Sequence, residues 1–193
     1  MYISSARVKH ERIKDSVEEL AQKGFKNIEL SGGTKYYPAY EEDLLELKNR
    51  YGLSYLLHNY FPPPKEDFIL NLASLNDEIY QASLQHYEGA MLLSKKLGSR
   101  KFGIHAGFFI NFTTREIGGN ISLSKLHDKG KAIKRFCEGY TYLVKKVKGV
   151  DLYVENNVLS LSNMRTFAGK NPFMLTGYDG YLELKNLIDF KLL

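Results

Sequence analysis

The sequence predicts an α/β chain built as a parallel (β/α) barrel, incomplete, with about five βα units and the start of a sixth strand. Three observations carry that expectation. Short apolar runs, Leu53 to His58, Lys101 to His105 and Asp151 to Glu155, each end on a residue that can hold a metal or move a proton. Each run starts just after a glycine that closes a helical stretch: Gly52, Gly98 and Gly149. A fourth run, Phe25 to Leu30 after Gly24, follows the same plan and carries Glu29. Strands alternating with helices imply a parallel sheet, and in such barrels the ends of the strands form the catalytic rim.

The elements follow in order. A first strand is expected near Tyr2 to Ser5. Ile13, Val17, Leu20 and Ala21 recur at helical spacing before Gly24, and Leu44, Leu45 and Leu47 mark a second helix before Gly52. A third helix starts at an Asn76 cap and carries Ile79, Ser83, His86, Ala90, Leu93 and Leu97 on one face. The fourth runs from about Lys125 to Lys148, and a last helix covers Tyr178 to Ile188. Glycine at the helix ends is the left-handed stop after which the next strand begins. Phe190-Lys191-Leu192-Leu193 reads as the opening of strand six. The expectation is one partial domain over 1–193, truncated or with an open edge. Such an edge favours pairing with a second copy or another partner.

Composition narrows the class. The chain has 193 residues, 44% hydrophobic and 25% charged, enough for a single buried core. One cysteine, Cys137, excludes an intrachain disulfide and points to a reducing compartment. Its apolar neighbours Ile133, Phe136 and Tyr140 make it a buried thiol rather than a nucleophile. The start has no apolar signal region, and no apolar run nears the roughly 20 residues of a membrane span, so a cytoplasmic protein without a membrane partner is expected. Residues 81–150 carry 13 Lys/Arg against 4 Asp/Glu. These lysines lie on helix faces and helix ends without interleaved aromatics, which argues against a nucleic-acid partner.

Connections from strand to helix are long: 31–39, 59–75, 106–124 and 156–177. Long loops in compact α/β domains are commonly functional. They carry Tyr36, Tyr37, Tyr60, Phe61, Phe108, Phe109, Phe112 and Phe173, whose faces suit a sugar ring or the packing of the loops themselves. Glu155 is the sharpest chemical candidate. It ends Leu152-Tyr153-Val154, read as a strand buried on both faces, where a carboxylate must be paired, protonated or bound to a cation. Asn156 and Asn157 follow it, suited to turning the chain or binding hydroxyls. His105 precedes Ala106-Gly107, which lets backbone or a ligand approach closely. His58 precedes Asn59 and Tyr60, and these three with His105, Asn156 and Asn157 are expected to bind substrate. Two histidines and a glutamate on three strand ends form a ligand set for a divalent ion such as zinc, manganese, magnesium or cobalt. Glu29 is weaker, and His10, His86 and His127 receive no role.

Four motifs in order, Asn27-Ile28-Glu29-Leu30-Ser31-Gly32-Gly33, Leu57-His58-Asn59-Tyr60-Phe61-Pro62-Pro63-Pro64, Gly103-Ile104-His105-Ala106-Gly107 and Tyr153-Val154-Glu155-Asn156-Asn157, resemble the xylose-isomerase-like TIM barrels. The resemblance covers nearly the whole chain. It implies a metal-dependent sugar or sugar-phosphate isomerase or epimerase acting through an enediolate on a small carbohydrate, with Glu155 as metal ligand and proton-transfer group. In that branch the remaining ligands come from strands six to eight. The superfamily's other branch, the apurinic-site nucleases of the endonuclease IV type, would use His58 and His105 with Glu155 in a zinc site. The rim loops offer that branch only Arg115 and Arg165. A third expectation, drawn from the early stop, is a non-catalytic remnant that needs a partner.

Overall fold

A computed structural model describes residues 1–116 and 118–192. Six strands hydrogen-bond in sequence order: β1 (Ile3–Ser4), β2 (Asn27–Leu30), β3 (Ser54–Leu57), β4 (Lys101–His105), β5 (Asp151–Glu155) and β6 (Lys191–Leu192). The pairings β1 to β2, β2 to β3, β3 to β4 and β5 to β6 are parallel. Helices α1 (Ile13–Gln22), α2 (Tyr40–Tyr51), α3 (Asp77–Lys96) and α4 (Lys129–Lys146) separate the first five strands. Two helices, α5 (Leu161–Thr166) and α6 (Tyr178–Lys185), lie between β5 and β6. The α/β order and the parallel sheet are those the sequence predicts. The α5 turn is an addition, lying within a stretch read as loop.

The chain divides into two compact units, the first comprising Met1–Glu66, Glu88–Gly103 and Val147–Asp151, the second Asp67–Tyr87, Ile104–Lys146 and Leu152–Leu193. In the first, Ile13, Val17 and Leu20 of α1, Leu44 and Leu47 of α2, Ile28 and Leu30 of β2 and Leu57 of β3 are buried. This is the helical and alternating periodicity read from the sequence, and its burial is the main stabilising term. Tyr55 is buried among them with its hydroxyl donating to the Leu44 carbonyl at 3.1 Å, so the polar tip is satisfied. Gly52 ends α2 at φ 64°, ψ 45°, with its N–H bonded to the Lys48 carbonyl.

In the second unit Phe136, Tyr140 and Leu143 of α4 are buried, as are Leu152 and Val154 of β5. The Tyr140 hydroxyl donates to the Leu152 carbonyl at 3.1 Å. Tyr153, expected to be buried, is only half so, because successive strand residues face opposite sides and its side carries the thinner cover. A second apolar cluster gathers Ile69, Phe108, Ile110, Ile121, Phe167 and Phe173 from the long loops. Phe108 meets Phe112 and Phe173 edge to face at 5.0 and 5.6 Å. These aromatics pack the loops rather than stand open for stacking. Cys137 is half-buried in α4, and burial pushes its thiol pKa up. Among the described residues no helix is long and apolar enough to cross a membrane.

Candidate functional site

β4 and β5 share one burial pattern, exposed, buried, half-buried, buried, half-buried, so His105 and Glu155 end their strands on the same, less covered face. The Ala106 N–H donates to the Glu155 carbonyl at 2.9 Å and fixes the register just beyond the two residues. The His105 Nδ1 lies 3.3 Å from the Glu155 Oε2, with side chains 31% and 20% exposed. A carboxylate beside an imidazole at a strand end can orient the ring, exchange protons with a ligand, and offer oxygen and nitrogen to a cation.

The wall of this site is built by asparagine. Asn157, nearly buried, directs its side-chain amide at the carbonyls of Ala106 (2.8 Å), Gly107 (3.1 Å) and Met174 (2.8 Å), and its own N–H donates to the Leu175 carbonyl. The Met174 N–H closes the group on the Gly107 carbonyl at 2.9 Å. Asn157 therefore holds the loops that frame the strand ends, whereas exposed Asn156 borders a cavity with Thr176 and Tyr178. Asn71, not singled out in the sequence, acts in the same way on the other loop. Its Oδ1 accepts from the N–H groups of Ala73 and Phe108, and its amide donates to the Phe108 carbonyl, each at 3.0 Å. The close approach foreseen at Gly107 is to Ala73, since a Cβ there would fall 2.3 Å from the Ala73 Cβ.

His58, Asn59 and Tyr60 lie in the first unit, directly after β3. The His58 N–H donates to the Leu30 carbonyl and its carbonyl accepts from Phe61, both at 2.9 Å, which continues the sheet pairing into a tight turn. His58 and Tyr60 are half-buried, and Asn59 has no exposed surface. Glu29, half-buried, sits in register with Leu56. His10 is held by Glu19 at 2.6 Å, and His86 makes edge contacts with Phe68 and Tyr87. Among the described residues no three His, Cys, Asp or Glu side chains gather closely enough to hold a metal ion. His105 and Glu155 supply two suitable donors, one fewer than a catalytic zinc site usually takes from its protein.

The comparisons identify the fold. Among curated proteins none matches the sequence. Solved structures do: a D-tagatose 3-epimerase-like protein (TM-score 0.68, 18% identity), an L-ribulose 3-epimerase (0.65, 15%) and endonuclease IV from Thermus thermophilus (0.56, 15%). They are matched over 98%, 100% and 100% of this chain. The chain in turn spans 61%, 58% and 60% of theirs, about three fifths of the length of each. At these identities the likeness is one of fold. The model of the xylose isomerase-like TIM barrel family matches residues 17–164, a stretch that holds β2 to β5 with both His105 and Glu155, and the chain belongs to that family.

Proposed function

We propose that the chain carries the proton-transfer group of a metal-dependent sugar or sugar-phosphate isomerase or epimerase. The observation that carries this reading is the His105 and Glu155 pair, 3.3 Å apart at adjacent ends of β4 and β5. The Glu155 carboxylate takes the proton from the carbon next to the sugar carbonyl, leaving an enediolate, and returns it to complete the rearrangement. His105 orients that carboxylate and meets substrate hydroxyls, and the exposed Asn156 is assigned to substrate binding. Asn157 positions the strand end through its three carbonyls. Glu155 and His105 would hold the divalent ion, which when bound polarises the carbonyl and hydroxyl oxygens of the sugar.

The test is proton exchange. Ketose substrates incubated with the chain and Mn²⁺ or Co²⁺ in D₂O should gain deuterium at the carbon next to the carbonyl, read by NMR. Glu155→Gln should slow that exchange by about 10²–10⁴-fold. Unchanged exchange in the variant, or none in the parent protein, rejects the reading. The same pair would serve a zinc-dependent apurinic-site endonuclease, the second reading, for which cleavage of a duplex carrying one abasic site is the deciding assay.

A further inference from the structure

The loops that follow β1 and β2 in the first unit are tied together at two points and stand apart between them. At one end the Ser31 N–H donates to the Oγ of buried Ser5 at 2.8 Å, and at the other the Lys35 N–H donates to the Glu11 carbonyl at 2.7 Å. Between these ties a cavity of about 480 Å³ opens, lined by residues 5, 6, 8–11 and 32–34. Its size falls within the range of roughly 300–1,000 Å³ usual for small-molecule sites.

The lining carries hydrogen-bond donors that the protein itself leaves unused. Gly32, Gly33 and Thr34 follow one another, and among the described residues nothing accepts from their N–H groups. Gly33 holds φ 94°, and a Cβ there would meet nothing within 4 Å, so the glycine serves the turn of the backbone rather than its packing. Successive free N–H groups in such a turn form a concavity suited to an anion. The Thr34 Oγ1 is buried without a hydrogen-bond partner, a state that a ligand oxygen would relieve.

Charge narrows the ligand further. Glu11 forms an ion pair with Lys35, and His10 is held by Glu19 at 2.6 Å, so both are already engaged. Lys9 lines the cavity, is exposed, and has no carboxylate partner among the described residues. Three amides, a hydroxyl and an ammonium match a group that is all acceptor oxygens and negative charge. A neutral sugar ring, whose hydroxyls must also find acceptors, fits this set less well. The cavity is larger than a bare phosphate fills, which leaves room for the body of an ester.

We infer that this cavity binds the phosphate group of a phosphomonoester, with the N–H groups of residues 32–34, the Thr34 hydroxyl and the Lys9 ammonium as its donors. The assignment does not rest on the Glu155 chemistry, and a binding measurement tests it apart from proton exchange. The whole chain is titrated with ribose 5-phosphate, inorganic phosphate and ribose, followed by calorimetry and by the backbone amide resonances. Ribose 5-phosphate should bind most tightly and shift the Gly32, Gly33 and Thr34 amides, and ribose should leave them in place. Lys9→Ala should weaken binding about tenfold, the worth of one charge-assisted hydrogen bond, and Thr34→Val about threefold, with circular dichroism confirming the fold of each. Lys35→Ala removes an equal charge from an exposed ion pair outside the cavity and should change the affinity by no more than about twofold. Equal affinities for ribose 5-phosphate and inorganic phosphate overturn the ester and leave a site for free phosphate. Absence of shifts at residues 32–34, or equal losses in Lys9→Ala and Lys35→Ala, overturns the site itself.

Discussion

A methyl group added at Gly107 would meet the Ala73 Cβ at 2.3 Å and the Ala73 N and Asn71 Oδ1 at 3.2 Å, two of the three being backbone-anchored atoms that cannot swing away. Gly107→Ala should therefore destabilise the protein by about 1–3 kcal/mol, the usual cost of overpacking, seen as a lower urea midpoint. A variant as stable as the parent would show that the two loops can part freely. Asn157→Ala should be more damaging than Asn156→Ala, although the residues are neighbours of one type. The first takes the shared donor from the carbonyls of Ala106 and Met174, at about 1–3 kcal/mol for each group left buried and unsatisfied, whereas the Gly107 carbonyl keeps the Met174 N–H. The second truncates an exposed side chain, and a change within about 0.5 kcal/mol is expected. Equal urea midpoints for the two variants would refute the assigned role. Glu155 was legible because a carboxylate ending an apolar strand stands out in one dimension. The role of Asn157 was not, because two of its partners lie 51 and 50 residues away along the chain.

Elements were legible where their signals are local. Asn76 caps α3 as the sequence indicates, its Oδ1 accepting from the N–H groups of Glu78 (2.8 Å) and Ile79 (3.2 Å), and the glycine stops fall where the strands begin. α5 escaped notice because six residues are too few to show a period. Ser160 and Asn163 specify it instead, the first capping it at 3.1 Å and the second accepting from the distant Ile121 N–H at 2.9 Å. The rim loop after β4 is organised by Glu116, whose carboxylate accepts from the N–H groups of Thr113 and Ser122, both at 2.8 Å, and from the Thr113 hydroxyl at 2.9 Å. The Thr113 backbone bond, then that of Ser122, lowers its pKa from the ordinary 4.5 to about 2. A depressed folded pKa contributes stability that is present above pH 4.5 and is lost as pH falls toward 2. The Thr113 and Ser122 amide resonances should therefore titrate with a midpoint near pH 2. A midpoint near 4.5 would mean that the loop does not hold the carboxylate.

At the scale of the whole molecule, the order of six parallel strands follows from alternating periodicity and glycine punctuation, and it brings residues 50 positions apart, His105 and Glu155, to ion-pairing distance. What periodicity does not encode is how many strand-end groups converge on one point, since that depends on tilt, twist and the cover of each face. The sequence motifs place His58, His105 and Glu155 at three strand ends. The structure brings two of them together, and among the described residues no cluster of three ligands forms. This difference makes a measurable statement about divalent ions. Calorimetric titration of the chain with Zn²⁺ or Mn²⁺ should give binding that weakens as pH falls, because protons compete for the imidazole and the carboxylate. His105→Ala and Glu155→Ala should each reduce the affinity at least tenfold, whereas His58→Ala should leave it unchanged. Loss of binding in all three variants would restore the three-residue ligand set read from the sequence. Binding that survives the removal of either His105 or Glu155 would place the ion elsewhere and leave the pair to proton transfer alone.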